Sequence, residues 1–140
     1  VSVVLAYNSL IFVTTPDHPT LSSTLKSIKI AKQRGAVIDG IILNKVHNKN
    51  FELSIEEIEK TIEAPVLAVI PYDVKVLESL SKFIPFTSYK PNSEGSIEYK
   101  KLAGTIAGQK YKTFSLWNIF NIAPKPQDVN RELFYKRVFE

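Results

Sequence analysis

The 140-residue chain contains no cysteine, no methionine and only two histidines, His18 and His47. The absence of cysteine excludes disulfides, thiolate zinc sites and a cysteine nucleophile, and it fits a reducing cytoplasmic location. His18 and His47 have no partner at metal-ligand spacing, so we interpret both as surface residues. No serine, histidine and acid constellation stands out either. We therefore predict no metal site and no catalytic residue within this chain.

The chain also lacks any apolar run of about 18 residues, so no segment is predicted to span a bilayer. Its five glycines are scattered, and no G-x-x-x-x-G-K-[ST] motif occurs. The backbone nest that would cradle a triphosphate is therefore missing. The chain begins with VSVVLAYNSLIF, without a leader of the secretory type. We expect the natural protein to start earlier, and this chain to be a fragment.

Charge is unevenly distributed along the chain, whose net charge is +4. Six basic residues and only three acidic residues lie in 110–140, so the body before this tail is nearly neutral. Binding to duplex nucleic acid needs a clustered basic face, which the body does not offer. Composition changes after Gly108, and we therefore divide the chain into a domain portion, 1–109, and a basic tail, 110–140.

Apolar runs alternate with stretches of helical periodicity along the domain portion. The runs are continuously apolar, which is typical of strands in a parallel sheet that carries helices on both faces. We expect strands at 10–14, 37–46 and 66–70, and a strand or a truncated helix at 1–7. We expect helices from a Thr20 cap to Arg34, from the Ser54–Glu57 capping box through Ile62, over 74–83, and from a Ser93 or Ser96 cap through Ala107.

Polar residues follow these predicted strands at the edge where parallel α/β sheets bind ligands. The Asn44 side chain offers a donor and an acceptor, which suits a purine edge, although a loop asparagine can also satisfy its own backbone. Pro71 fixes a turn before Tyr72 and Asp73 and leaves carbonyl groups free for a ligand, although Asp73 could simply cap a helix. The Asp17 carboxylate could contact a ribose or a partner subunit. The alternative is a structural role, in which it forms hydrogen bonds within the loop or caps the following helix.

Five segments in order, with their spacing, resemble the C-terminal half of MinD, ParA and related P-loop ATPases, above all the archaeal MinD-like proteins. The resemblance covers residues 3–108. The segments are Phe12-Val13-Thr14-Thr15-Pro16-Asp17, Leu25-Lys26, Gly40-Ile41-Ile42-Leu43-Asn44-Lys45-Val46, Val66-Leu67-Ala68-Val69-Ile70-Pro71-Tyr72-Asp73 and Tyr89-Lys90-Pro91-Asn92-Ser93.

The resemblance implies a P-loop fold of the deviant Walker A type that lacks its N-terminal half, binds ATP with Mg²⁺ and forms a homodimer. It implies that Asn44 contacts adenine, that Pro71, Tyr72 and Asp73 line the base, and that Asp17 reaches toward the partner subunit's nucleotide. The residues for phosphate and Mg²⁺ would lie upstream of Val1. Ser23 stands where many bacterial MinD proteins have aspartate, which puts partner stimulation of the bacterial kind in doubt.

The tail resembles the amphipathic membrane-targeting helix of MinD proteins. On a helix Leu116, Trp117, Ile119 and Phe120 fall in one arc, whereas Phe114 and Ile122 break the pattern by falling among the polar residues. The apolar arc with basic residues before it suits the surface of an anionic bilayer. The alternative is a helix that packs back on the domain. The residues concerned are Lys110, Lys112, Leu116, Trp117, Ile119 and Phe120. A second amphipathic stretch, 131–140, could bind a partner, pack on the body or be disordered.

The leading hypothesis is therefore the C-terminal portion of a MinD-like ATPase of spatial organisation or cell division. It predicts ATP-dependent dimerisation, a protein partner, and a cytoplasmic protein that attaches reversibly to the membrane. The alternative is a non-catalytic interaction module, for membrane or protein, that lost the phosphate-binding half. ParA-like binding of nucleic acid is disfavoured by the neutral body.

Overall fold

The computed structural model of the chain describes residues 9–109 and 124–140, which form three strands and six helices. The chain divides into two compact units, Val1–Tyr72 and Asp73–Glu140. The first unit contains β1 (Ser9–Thr14), α1 (His18–Gln33), β2 (Val37–Val46), α2 (Ile55–Ile62) and β3 (Val66–Pro71). The second contains α3 (Val74–Ser81), α4 (Phe86–Tyr89), α5 (Glu94–Ile106) and α6 (Pro126–Phe139).

The first unit is built on a three-stranded parallel sheet in the order β1-β2-β3. β3 is almost wholly buried, as its continuous apolar sequence predicts. The α1 helix packs on β1 and β2, and the buried side chains of α1 and α2 join those of the strands in one core. The parallel α/β arrangement predicted from the sequence is confirmed. The buried members of this core are Leu21, Ile28, Ile41, Leu43, Val46, Ile58, Ile62, Ala64 and Val66.

The helix ends of the first unit follow capping rules, with one correction. The prediction of Thr20 as the cap of α1 is wrong, because the Asp17 side chain accepts from the Thr20 backbone N–H and α1 begins at His18. The predicted capping box of Ser54 and Glu57 opens α2. Gly35, with φ +81°, follows the end of α1 as expected.

Gly40 allows β2 and β3 to pack closely. A Cβ atom at Gly40 would lie 2.5 Å from Leu67 Cγ and 2.9 Å from the Pro65 carbonyl oxygen. The Ile41 backbone N–H donates to the same carbonyl at 2.8 Å. Any larger residue at position 40 would therefore push the two strands apart.

The second unit begins with three helices of unequal length. Asp73 caps α3 by accepting from the Lys75 N–H at 2.8 Å. The predicted helix over 74–83 ends earlier, at Ser81, because Phe83 adopts a left-handed φ of +56°. The short α4 after Pro85 was not predicted, and Ser93, one of the two predicted alternatives, caps α5.

Helix α6 begins at Pro126, earlier than the amphipathic stretch predicted from 131, because proline is well suited to the first turn of a helix. It runs parallel to α5. Lys125 lies 2.9 Å from Glu94 near the two helix starts, and the Tyr135 hydroxyl donates to the Gly108 carbonyl at 3.2 Å near the two ends. Of the three fates left open for this stretch, packing on the body is the one observed.

A buried charge network joins the middles of α5 and α6. The Arg131 guanidinium donates to Glu98 Oε2 at 2.8 Å, and both side chains are about 5% exposed. Arg131 also contacts Asp128, and Lys101 lies 3.1 Å from Asp128 and 3.6 Å from Glu98. Two positive and two negative charges therefore balance within the contact between α5 and α6.

Several predictions lie outside the described residues. These include the strand or truncated helix at 1–7 and the proposed membrane residues Lys110, Lys112, Leu116, Trp117, Ile119 and Phe120. None of the helices within 9–109 and 124–140 is long and apolar enough to cross a membrane.

Candidate functional site

The carboxyl ends of β2 and β3 meet at one edge of the first unit. Val46 pairs with Pro71, and the Tyr72 N–H donates to the Val46 carbonyl at 2.9 Å. Asn44 lies two residues before Val46 on the same strand. The structure therefore brings Asn44, Pro71 and Tyr72 to the same edge, as predicted for the carboxyl ends of strands in a parallel sheet.

Asn44 is half-buried, and a local hydrogen bond orients its amide. Its Oδ1 accepts a hydrogen bond from the Lys45 N–H at 2.9 Å. Asn44 therefore does bond its local backbone, which was one of the two roles considered for it from the sequence. An amide oxygen has a second lone pair and an amide nitrogen has two donors, so the group keeps the capacity to pair with a base edge. Lys45, within β2, has φ +57°, and the register between β2 and β3 shifts between Leu43 and Val46.

His47 stacks on Tyr72 at this edge. The two ring centroids are 4.6 Å apart, with the planes inclined by 24°. Sequence reasoning interpreted His47 as a surface residue without a role. The two rings are adjacent because Val46 pairs with Pro71, and His47 and Tyr72 are the residues that directly follow these two. This strand pairing cannot be derived from the sequence, so the ring contact could not be predicted.

Asp17 lies in the turn after β1, next to the same edge, since Thr14 pairs with Leu43. One carboxylate oxygen accepts from the Thr15 hydroxyl, and the other accepts from the Thr20 N–H at 2.9 Å. The Thr15 hydrogen bond, reinforced by that of Thr20, lowers the pKa of Asp17 below its usual value. The carboxylate is therefore held ionised as the cap of α1. Its predicted contact with a partner's nucleotide remains a prediction.

The β1–α1 turn is fixed by further hydrogen bonds. The buried Thr24 hydroxyl donates to the Thr14 hydroxyl oxygen at 3.0 Å. The Leu53 N–H donates to the Pro16 carbonyl at 3.0 Å, which ties this turn to the segment before α2. The loop that carries Asp17 is consequently a pre-organised element of the edge.

In the second unit, Asp73 lines an open cleft of about 410 Å³ together with the α4–α5 connection. Its carboxylate accepts from the Lys75 N–H, which is the helix-cap role that the sequence analysis gave as the alternative. The residues that line the cleft with it are Tyr89, Lys90, Pro91, Asn92 and Ser93.

A charged cluster between α3 and α4 is structural. Glu78 Oε2 lies 2.6 Å from Lys75, and Oε1 lies 3.0 Å from Lys82 and 2.5 Å from the Tyr89 hydroxyl. These bonds, the Lys75 bond first, lower the pKa of Glu78 to about 2. Lys82 also lies 4.7 Å from the centre of the Tyr89 ring. The cluster explains why the short α4 is held beside α3.

The donor set of the described residues fits a nucleotide base better than it fits a metal. No group of three histidine, cysteine, aspartate or glutamate side chains in 9–109 and 124–140 is placed to hold a cation. The oriented Asn44 amide and the exposed aromatic ring of Tyr72 offer hydrogen bonds and a stacking surface instead. The edge therefore offers the groups that bind a planar heterocyclic base, hydrogen-bonding atoms and an aromatic surface.

Comparison with known proteins gives consistent matches. A family model described as an AAA domain matches residues 6–79, slightly more than half of the chain. An uncharacterised ATP-binding protein of Methanocaldococcus jannaschii is 33% identical over 105 residues, which cover 75% of this chain and 40% of the relative. The chain thus spans about two fifths of the length of this curated relative.

Solved structures with similar folds include two archaeal cell-division proteins. The cell division ATPase MinD of Pyrococcus furiosus matches with a TM-score of 0.67 and 34% identity, covering 74% of this chain and 44% of that one. The septum site-determining protein MinD of Pyrococcus horikoshii, in complex with Mg-ADP, matches with a TM-score of 0.66 and 33% identity, covering 73% and 42%.

Proposed function

Because the chain belongs to the MinD/ParA-type family of P-loop ATPases, we propose that it forms the base-binding end of an ATP site in a MinD-like protein of cell division or spatial positioning. The observation that carries this proposal is the shared edge of Asn44, Pro71 and Tyr72. The similarity to a protein named as ATP-binding and to a MinD with bound Mg-ADP supports a nucleotide as the ligand.

In this proposal the residues of the edge divide the recognition of adenine between them. Asn44 pairs with the hydrogen-bonding edge of the base, and Pro71 and Tyr72 pack against the ring. The phosphates and Mg²⁺ require a phosphate loop, and the 140 residues contain no G-x-x-x-x-G-K-[ST] motif. ATP hydrolysis is therefore proposed for the whole protein, with this chain supplying recognition of the base.

Dimerisation is proposed to use the β1–α1 turn. Asp17 is ionised and rigidly held at the edge beside β2, so it can present a fixed negative charge to a partner subunit. A pre-organised carboxylate loses little conformational freedom when a partner binds it. We expect an Asp17→Ala variant to weaken ATP-dependent dimerisation in light scattering, while Ser23→Ala, one turn into α1, leaves it unchanged.

Membrane attachment is proposed for the segment that contains Lys110, Lys112, Leu116, Trp117, Ile119 and Phe120. Its apolar arc and basic residues are suited to the interface of an anionic bilayer. Each basic residue near such a surface adds about 1 kcal/mol of binding. Cosedimentation with phosphatidylserine vesicles tests this, and Trp117→Glu with Phe120→Glu should abolish it while an Asn118→Gln control does not.

The base site is tested by titrating the chain with Mg-ATP and Mg-GTP while the backbone amides are followed by NMR. We expect Mg-ATP to perturb the amides around Asn44 and Tyr72 more strongly than Mg-GTP does. Asn44→Ala should weaken ATP binding by about 2- to 10-fold, the equivalent of one net hydrogen bond. Asn50→Ala, an asparagine in the exposed loop after β2, is the matched control.

Equal responses to the two nucleotides, or perturbations confined to other residues, would contradict the proposal. The chain would then be better described as an interaction module that kept the sheet edge without nucleotide recognition.

A further inference from the structure

The His47–Tyr72 ring pair occupies the edge at which adenine is proposed to bind. The rings stack at 4.6 Å, and Tyr72 remains 48% exposed, so much of its surface is accessible to a ligand. Val46 lies between Asn44 and this pair, because its carbonyl accepts the Tyr72 N–H at 2.9 Å. An oriented amide and an accessible aromatic ring are thus held together by a single strand pairing.

The backbone around His47 is unusual and firmly held. Lys45 and Asn48, on either side of Val46 and His47, both adopt left-handed φ angles, of +57° and +55°. Asparagine adopts such an angle readily, but for lysine it is costly and persists only where the surroundings enforce it. Costly angles of this kind commonly cluster at ligand sites, so this turn is a feature that needs an explanation.

Glu52 supplies that enforcement. Its carboxylate accepts from the His47 N–H at 2.9 and 3.1 Å and from the Lys49 N–H at 3.2 Å. Charge-assisted hydrogen bonds of this kind are among the stronger ones in proteins. The loop is therefore closed around Glu52, which holds the backbone of His47 at the position from which its ring stacks on Tyr72.

We propose that His47 is a positioning residue for purine recognition, which holds the Tyr72 ring as the surface on which the adenine ring stacks while Asn44 pairs with the edge of the base. This inference rests on the proposed nucleotide function, and it assigns a role to His47, which lies outside the five segments that resemble the MinD/ParA family. A ring that is held by a stacking partner before binding loses less rotamer freedom when the ligand arrives, so the gain appears as affinity. Stacking between a base and an aromatic ring is a substantial contribution in nucleic-acid recognition, and the same contact geometry applies to a mononucleotide.

The variants separate the ring contact from the imidazole. His47→Ala removes the stacking partner of Tyr72, His47→Phe keeps a ring there, and Tyr72→Leu removes the proposed platform itself. His18→Ala removes the other histidine of the chain, which is exposed at the start of α1, and is the matched control. Each variant is titrated with Mg-ATP, and the NMR resonances of the Tyr72 ring protons are recorded without nucleotide.

We expect His47→Ala to shift the Tyr72 ring resonances, through loss of the ring current, and to weaken ATP binding by about 3- to 10-fold. His47→Phe should restore most of the affinity, Tyr72→Leu should lower it at least as much as His47→Ala, and His18→Ala should match the unchanged chain. Should His47→Ala fail to fold, His47→Phe and Tyr72→Leu still provide the comparison.

The outcomes distinguish this inference from the proposed function. If the unchanged chain binds ATP at the Asn44 edge, and Tyr72→Leu or His47→Ala binds it equally well, the platform is refuted while the nucleotide function stands. If the unchanged chain binds no purine nucleotide at this edge, both are refuted.

Discussion

The buried ion pair between Glu98 and Arg131 gives a quantitative prediction about the C-terminal helix. The two groups lie 2.8 Å apart with side chains that are 4% and 6% exposed. Replacing Arg131 with methionine leaves the Glu98 carboxylate buried with one fewer partner, and breaking such a pair costs about 3 to 5 kcal/mol. Glu98→Leu leaves the opposite excess charge and should cost a similar amount.

The double variant, Glu98→Leu with Arg131→Met, should recover most of this loss. It restores a neutral network, because Lys101 and Asp128 keep their contact at 3.1 Å. Replacement of a buried pair by apolar residues of similar size is often neutral or stabilising. The interaction energy from the double-mutant cycle should therefore be several kcal/mol.

The assay is hydrogen exchange of the α6 backbone amides, which reports detachment of this helix even if the rest of the chain stays folded. Each single variant should raise the exchange rate by roughly 100-fold or more, up to the limit set by full detachment. Lys136→Met is the control within the same helix, because its pair with Glu132 is exposed and contributes about 0.3 to 0.5 kcal/mol. The reasoning would be refuted if each single variant changed the exchange rate of the α6 amides no more than Lys136→Met does. It would also be refuted if the free-energy losses of the two single variants were additive in the double variant.

Three further predictions concern the sheet, a helix cap and a surface cluster. Gly40→Ala should destabilise the first unit by about 1 to 3 kcal/mol in urea denaturation, because its Cβ would overlap Leu67; full stability would contradict the packing described. Asp17→Ala should cost about 1 kcal/mol in the same assay and Asp17→Asn only a few tenths, since asparagine also caps a helix; equal costs would argue against the cap. Because the pKa of Glu78 is lowered to about 2, its stabilisation of α3 and α4 is fully present above pH 4.5 and is lost as the pH falls toward 2. Glu78→Gln should remove this pH dependence from the hydrogen exchange of the α4 backbone amides. A pH dependence that is the same in Glu78→Gln as in the unchanged chain would refute the assigned role of Glu78.

The parallel sheet and the edge that carries Asn44 and Pro71 could be predicted because they depend on local signals. The apolar runs at 10–14 and 66–70 and the apolar centre of 37–46 specify parallel strands, and the polar residues at their carboxyl ends must then meet at one edge. The burial of β3 agrees with this pattern, whereas β1 is only partly buried. Asn44 and Pro71 were therefore found from the sequence as neighbours. Their roles toward a nucleotide came from the resemblance and not from this geometry.

The predictions were wrong or incomplete where contacts between residues distant in sequence, or unusual backbone angles, determine a helix boundary or a side-chain contact. Thr20 and Asp17 are both acceptable caps, and only the folded turn, with Thr15 bound to Asp17, selects the earlier one. Helix α6 begins before the predicted stretch 131–140, because Pro126 occupies the first turn of the helix. The stacking of His47 on Tyr72 depends on strand register, which no local pattern encodes.

The most direct test of the central claim is the position of the adenine ring on the chain. Intermolecular NOEs from adenine H2 and H8 of Mg-ATP should reach the Asn44 side chain and the Tyr72 ring, at the edge where β2 and β3 end. NOEs that place the base on residues away from this edge, or a complete absence of adenine contacts at saturating ATP, would contradict the account.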